Sequence, residues 1–120
     1  MLVASAPASA ANIYEGYSRV GSVTRSFGET YDVRAGYSRV GQVKFSYGSR
    51  WNVYENYRQI GYVTRSYGDR WDIYLSYRKI GYVARSGSRW NIYEGYSRVG
   101  YGDGATGAPV AGAALLLILG

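Results

Sequence analysis

Along the chain from Ala11 to Asp103 the apolar residues fall into short runs, each bounded by Gly, Asn, Ser or Asp. Trp51-Asn52-Val53-Tyr54 and Ile60-Gly61-Tyr62-Val63 are representative, and both are rich in the β-branched and aromatic residues that suit a pleated surface. Paired runs of this kind, separated by turn formers, predict strand-turn-strand units. A 3.6-residue apolar period is absent over residues 11–104, and glycine every few positions would cost a helix about 1 kcal/mol each. The body is therefore expected to be all-β, built from hairpins.

The hairpins are copies of one unit written five times, starting at Ala11, Tyr31, Trp51, Trp71 and Trp90. The last interval is one residue short, because Arg85-Ser86-Gly87-Ser88-Arg89 lacks the aromatic that precedes glycine in Ser66-Tyr67-Gly68. The seventh position is always Tyr (Tyr17, Tyr37, Tyr57, Tyr77, Tyr96) and the eleventh always Gly (Gly21, Gly41, Gly61, Gly81, Gly100). The third and tenth are always Val or Ile. Glycine inside a strand predicts a bulge, or an aromatic ring laid over bare backbone. Asn12, Asp32, Asn52, Asp72 and Asn91, in the second position, are expected to bond backbone at turn entries.

A lone hairpin is marginal in water, so each unit must bury a face against its neighbours. The first unit lacks its Trp, at Ala11, and the fifth stops early, at Tyr101, as if missing its second half. That complementarity predicts closure into a pseudo-five-fold ring or barrel, which also removes the exposed edges of an open stack. The Val/Ile columns should line a narrow axis, with residues 113–119 packed into it as a plug. The expected organisation is a leader at 1–10, a five-repeat domain at 11–104 and a Gly/Ala/Leu-rich tail at 105–120, the whole acting as a monomer.

The leader, MLVASAPASA, ends in Ala8-Ser9-Ala10, the small-x-small pattern of a signal-peptide cleavage site. The repeat begins one residue later, which predicts export to the periplasm, cell envelope or exterior. Residues 108–119 (APVAGAALLLIL) carry no charge but fall short of the roughly 18–20 residues of a membrane-spanning helix, so no transmembrane helix is expected. The glycine-rich stretch from Gly100 to Gly107 lacks the strand-loop-helix setting of a phosphate loop and reads as a flexible connector.

Ile92-Tyr93-Glu94-Gly95-Tyr96-Ser97-Arg98-Val99-Gly100 and its copies resemble the short hairpin repeats of the bacterial β-flower families, most closely the five-fold β-flower proteins, over residues 11–104. The resemblance implies a fold and no activity. Here Glu stands where the family usually has Asp, and Tyr where the turn usually has Gly. Tyr93-Glu94-Gly95 with Gly100-Tyr101-Gly102 also looks like a MORN repeat, a hairpin array linked to membranes and scaffolds, though MORN units run longer. Choline- and glucan-binding repeats share the unit length but show adjacent aromatic pairs that are lacking here.

With no Cys and no His, disulfides, thiol nucleophiles, zinc clusters and imidazole bases are excluded. Paired carboxylates are the remaining catalytic option, drawn from Glu15, Glu55, Glu94, Asp32 and Asp72. A catalytic acid and base need different environments, whereas repeat copies provide the same one several times, so no enzyme is expected. No cofactor or metal is expected either, since the oxygens around Asp69 and Asp72 are too sparse for a calcium loop.

The chain carries 14 basic against 8 acidic residues, a net +6. Its rings interleave with arginine, which suits face-on contact with sugars or stacking with bases. The ligand-binding candidates are Trp51, Trp71, Trp90, Tyr57, Tyr62, Tyr77, Tyr82, Arg65 and Arg85. The competing role for the same residues is Arg–aromatic pairing that stabilises the ring itself. The function expected is a non-enzymatic structural or ligand-binding module at the cell envelope; its partner is left open, with cell-envelope polysaccharide, bound through Tyr, Trp and Arg, as the candidate. The alternatives are a cytoplasmic basic-aromatic nucleic-acid binder, disfavoured by export, and a membrane-associated MORN-like scaffold.

Overall fold

A computed structural model describes residues 10–104 and 107–119. The strands are β1 (Ala10–Glu15), β2 (Ser18–Phe27), β3 (Thr30–Ala35), β4 (Ser38–Tyr47), β5 (Arg50–Glu55), β6 (Arg58–Arg65), β7 (Arg70–Leu75), β8 (Arg78–Ser86), β9 (Arg89–Glu94) and β10 (Ser97–Asp103), followed by helix α1 (Gly107–Ala114) and a π-helical turn (Leu115–Leu119). Each strand pairs antiparallel with the next, and β10 pairs with β1 to close a ten-stranded barrel. Asn12 N–H donates to Asp103 Oδ1 at 2.8 Å across that seam. Each repeat is one hairpin with a two-residue turn, at 16–17, 36–37, 56–57, 76–77 and 95–96. These five turns lie at one end, the tip end; the turns joining successive repeats lie at the other, the mouth. The fifth repeat is not halved, as its length suggested: it keeps both strands and lacks only the turn to a sixth.

Closure follows from the repeat, but a ten-stranded barrel is wider than the eight-stranded size that side chains alone can fill. The interior is filled by the tail, in layers of complementary size. Midway down, Val23, Val43, Val63 and Val83 with Ile13, Val33, Val53, Ile73 and Ile92 point inward, almost wholly buried. The helix at this level is thin, with sequence GAPVAGAA, and every residue of it is buried. A Cβ on Gly112 would run into the Val43 side chain. Towards the tip end the relation inverts: the wall is glycine and the plug is leucine. The plug is longer than the sequence suggested, beginning at Gly107 rather than at residue 113.

The register slips by one residue opposite each Gly of the eleventh column, as between Ile13 and Tyr14 or Arg98 and Gly100, so the column sits at a repeated β-bulge. What lies over the bare backbone at Gly21, Gly41, Gly61 and Gly81 is a leucine, not an aromatic ring. A Cβ on Gly61, Gly41, Gly21 or Gly81 would approach Leu115, Leu116, Leu117 or Leu119 to 3.0, 2.8, 2.7 and 3.2 Å. Successive tail residues thus step to successive repeats: third, second, first and, after Ile118, fourth. A five-fold wall calls for about 72° per side chain, whereas an α-helix turns about 100° per residue. The wider i→i+5 turn moves the step toward what the wall requires.

The missing Trp of the first repeat has a steric reason. Gly104 follows β10 and its backbone packs against Ala11, where even a Cβ on the glycine would lie 2.6 Å from the Ala11 Cβ, so position 11 is crowded on a side that the other repeats leave open. Of the predicted connector, residues 101–103 belong to β10, while 105 and 106 lie outside the described residues. The cleavage motif at 8–10 lies outside them too, except for Ala10, which pairs with Thr24.

Candidate functional site

The first position of each repeat points inward at the mouth, where the lumen is widest, and there the column switches from aliphatic to aromatic. Tyr31, Trp51, Trp71 and Trp90 form an incomplete ring around the start of α1. Trp90 is 4% exposed, Trp51 and Trp71 are half-buried, and a Cβ on Gly107 would run into Trp71 and Trp90. Trp51 meets Tyr31 at a ring separation of 5.9 Å and Phe45 edge-on at 5.4 Å. Between these rings and residues 107–109 is a cleft of about 290 Å³, also lined by Arg65, Arg85 and Asp69. Its size is near the lower end of the ~300–1,000 Å³ typical of small-ligand pockets.

Both arginines are held by backbone rather than by carboxylates. Arg65 Nε donates to the Gly68 carbonyl at 2.9 Å, and Arg85 Nε to the Gly87 carbonyl at 3.2 Å. The Arg85 guanidinium also lies 5.9 Å from the Trp90 ring centre. Each spends one of its five guanidinium N–H groups on that bond, and among the described residues the others are left to meet a ligand. The cleft can therefore offer flat apolar faces and fixed cationic donors together.

The outer wall uses arginine differently. Tyr62 is stacked on Tyr74 at 4.7 Å on one side, with Arg50 at 3.9 Å from its ring centre. Tyr82 repeats this with Tyr93 at 4.6 Å and Arg70 at 3.8 Å, and Tyr101 with Tyr14 at 4.7 Å and Arg89 at 4.0 Å. The cross-strand pairing that brings each tyrosine pair together is Tyr62 opposite Tyr74, Tyr82 opposite Tyr93 and Tyr14 opposite Tyr101. Beside the stacks, Asp72 receives Arg70 at 3.2 Å and Lys79 at 3.5 Å, while Asp32 receives Arg39 at 3.6 Å and Gln42 at 2.9 Å. The Asn/Asp column thus lies within strands, where Asp32, Asn52 and Asp72 meet long cationic or amide side chains; turn entries, where the sequence pattern placed it, begin three residues later. Burial pulls the Arg70 guanidinium down, but its bond and attraction to Asp72, with Tyr67 adding, leave it raised.

At the tip end, shallow grooves lie between neighbouring repeats. One of about 220 Å³ is lined by Arg50, Tyr62 and Tyr77, and one of about 210 Å³ by Arg70, Tyr82 and Tyr96. Glu15, Glu55 and Glu94 end strands β1, β5 and β9 here, each on a separate repeat and exposed. Among the described residues no three His, Cys, Asp or Glu side chains are grouped to hold a metal ion. None of the described helices is long and apolar enough to cross a membrane.

The predicted site residues thus divide three ways. Trp51, Trp71, Trp90, Arg65 and Arg85 meet in the mouth; Tyr62 and Tyr82 belong to the wall stacks; Tyr57 and Tyr77 stand at the opposite end. The ligand set read from the sequence left out Tyr31, Asp69 (weighed only as a calcium ligand) and residues 107–109. Tyr31 shares the column of the three Trp residues, a signal that was there to be used; the other contributions depend on where the tail enters. No protein-family model, curated protein or solved structure matches this chain.

Proposed function

We propose that this protein is a non-enzymatic binding module of the cell envelope that takes a sugar unit of an envelope polysaccharide in its aromatic mouth. The observation that carries the reading is the meeting of Trp51, Trp71 and Trp90 with backbone-held Arg65 and Arg85 around one cleft of about 290 Å³. Indole faces suit the C–H face of a pyranose, and the guanidiniums suit its hydroxyl or carboxylate oxygens. The repeat resemblance to five-fold β-flower proteins, many of them exported, and the Ala8-Ser9-Ala10 pattern support the same location.

The nucleic-acid alternative draws less support from the wall. Base stacking needs open ring faces. Tyr62 and Tyr82 each have a tyrosine on one side and an arginine close over the ring.

The test is retention of the full chain on cell-wall polymer, with Trp fluorescence followed as salt is raised. Salt-resistant retention with a fluorescence change, weakened at least about ten-fold in Trp71→Ala and Arg85→Ala variants, supports the mouth. Retention lost steeply with salt, or unchanged in both variants, overturns it.

A further inference from the structure

Two columns of the repeat never vary in residue type, and the fold accounts for only one. Glycine at the eleventh position is required by the bulge and by the plug leucines over it. Tyrosine at the seventh packs on almost nothing: Tyr17, Tyr37, Tyr57, Tyr77 and Tyr96 are 95, 102, 86, 89 and 94% exposed. Turn chemistry does not ask for it either, since two-residue hairpin turns favour Gly, Asn and Asp. Tyr57 even keeps its ring at φ +67°, in the left-handed region that bulky side chains avoid. Five copies of a large, exposed aromatic, one of them held against its backbone preference, point to a partner outside the fold.

The surface around these rings narrows the partner. The repeats share one register, so the tips stand at equal height around the barrel axis and form an annulus. Backbone bonds from Gly16, Ser76 and Gly95 to the carbonyls of Val99, Ile60 and Ile80 tie tips to neighbouring repeats. Inside the annulus the plug's last turn leaves Leu116, Leu117 and Ile118 half-buried. The five tips together carry six cations, Arg19, Arg39, Arg58, Arg78, Lys79 and Arg98, against three carboxylates, Glu15, Glu55 and Glu94. Arg39 and Lys79 lean back toward Asp32 and Asp72, while the other four arginines make no ion pair with the described residues.

An apolar centre, a ring of tyrosines and an excess of positive charge make the profile of an interfacial surface. Tyrosine settles at the headgroup level of bilayers, and basic side chains are drawn to anionic lipid. A rigid annulus also fits a plane better than a filament. We propose that the tip end docks edge-on-axis against an anionic lipid bilayer, with Tyr17, Tyr37, Tyr57, Tyr77 and Tyr96 seated among the headgroups. The mouth then faces away from the membrane.

The experiment is co-sedimentation of the full chain with vesicles of phosphatidylcholine alone and of phosphatidylcholine with phosphatidylglycerol. The tested variant replaces Tyr17, Tyr37, Tyr77 and Tyr96 by Ser, sparing Tyr57, whose hydroxyl accepts from Arg39. The expected result is binding to the anionic vesicles only, reduced at least about ten-fold in the variant, with its melting transition unchanged. A second variant, Trp71→Ala at the mouth, should bind vesicles as the parent does, which separates this surface from the polysaccharide reading. No binding to anionic vesicles overturns the proposal, as does a tyrosine variant that binds undiminished. Self-association of the parent that the tyrosine variant abolishes also overturns it, in favour of a second copy of the chain.

Discussion

A Cβ placed on Gly21 would lie 2.7 Å from Cδ1 of Leu117 and closer still to the carbonyl oxygen of Arg34. The side chain could rotate away; the backbone oxygen of the adjoining strand could not. Gly21→Ala should therefore lower stability by about 1–3 kcal/mol, read as a lower urea midpoint at unchanged slope. Adding Leu117→Ala should not restore it. Recovery in the double variant would make the leucine, not the bulge, the reason for glycine.

The plug's residues should differ in worth according to depth. Leu115 is fully buried, whereas Ile118 is half-buried. Leu115→Ala should cost about 2–5 kcal/mol in denaturant unfolding, and Ile118→Ala clearly less. Equal losses would mean that the tail packs as an undifferentiated apolar mass.

Asn91 Oδ1 is buried with no hydrogen-bond partner among the described residues. In the fourth repeat the same column holds Asp72, paired with Arg70 and Lys79, and the corresponding cations of the fifth are Arg89 and Arg98. Asn91→Asp should raise stability by about 0.2–1 kcal/mol, an effect that fades as salt is added. A loss of stability, measured by thermal unfolding at low salt, would show that the fifth repeat cannot copy the fourth.

The wall stacks are expected to contribute cooperatively. Gln42 occupies in the second repeat the column that Tyr62 holds in the third, so Tyr62→Gln keeps a side chain the fold already accepts there. A double-mutant cycle of Tyr62→Gln with Tyr74→Ala should return a coupling of about 0.5–1.5 kcal/mol. Additive losses would reduce the stacks to independent rings.

The architecture was legible in the sequence because its causes repeat. Tyrosine, glycine and Val/Ile recur at fixed offsets, so hairpins, bulges and closure followed from local pattern plus the need to bury an edge. The tail's role was legible only from residue 113, since Gly107-Ala108-Pro109 looks like linker until the Val columns show why a thin helix is needed. The outward Asn/Asp column was misread for a physical reason: its partners Arg70 and Lys79 lie two residues back and on the adjoining strand, and only the ladder brings them together. The mouth was half legible. Its Trp and Arg residues carry their chemistry openly, but their separation from Tyr57 and Tyr77 by the length of the barrel depends on which way each strand runs.

The Val110–Gly102 approach has a consequence for how singular this fold is. In the thirteenth column four repeats carry Val, at 23, 43, 63 and 83, and the fifth carries Gly102, where a Cβ would fall 2.7 Å from Val110 Cγ1. A cylinder of five identical staves has five indistinguishable phases in which an asymmetric rod can sit. Gly102 removes that degeneracy, as Ala11 does beside it, by giving the rod one keyway. The rod is also joined in sequence to β10, and the small infidelities among the repeats add to that tether in favouring a single native setting.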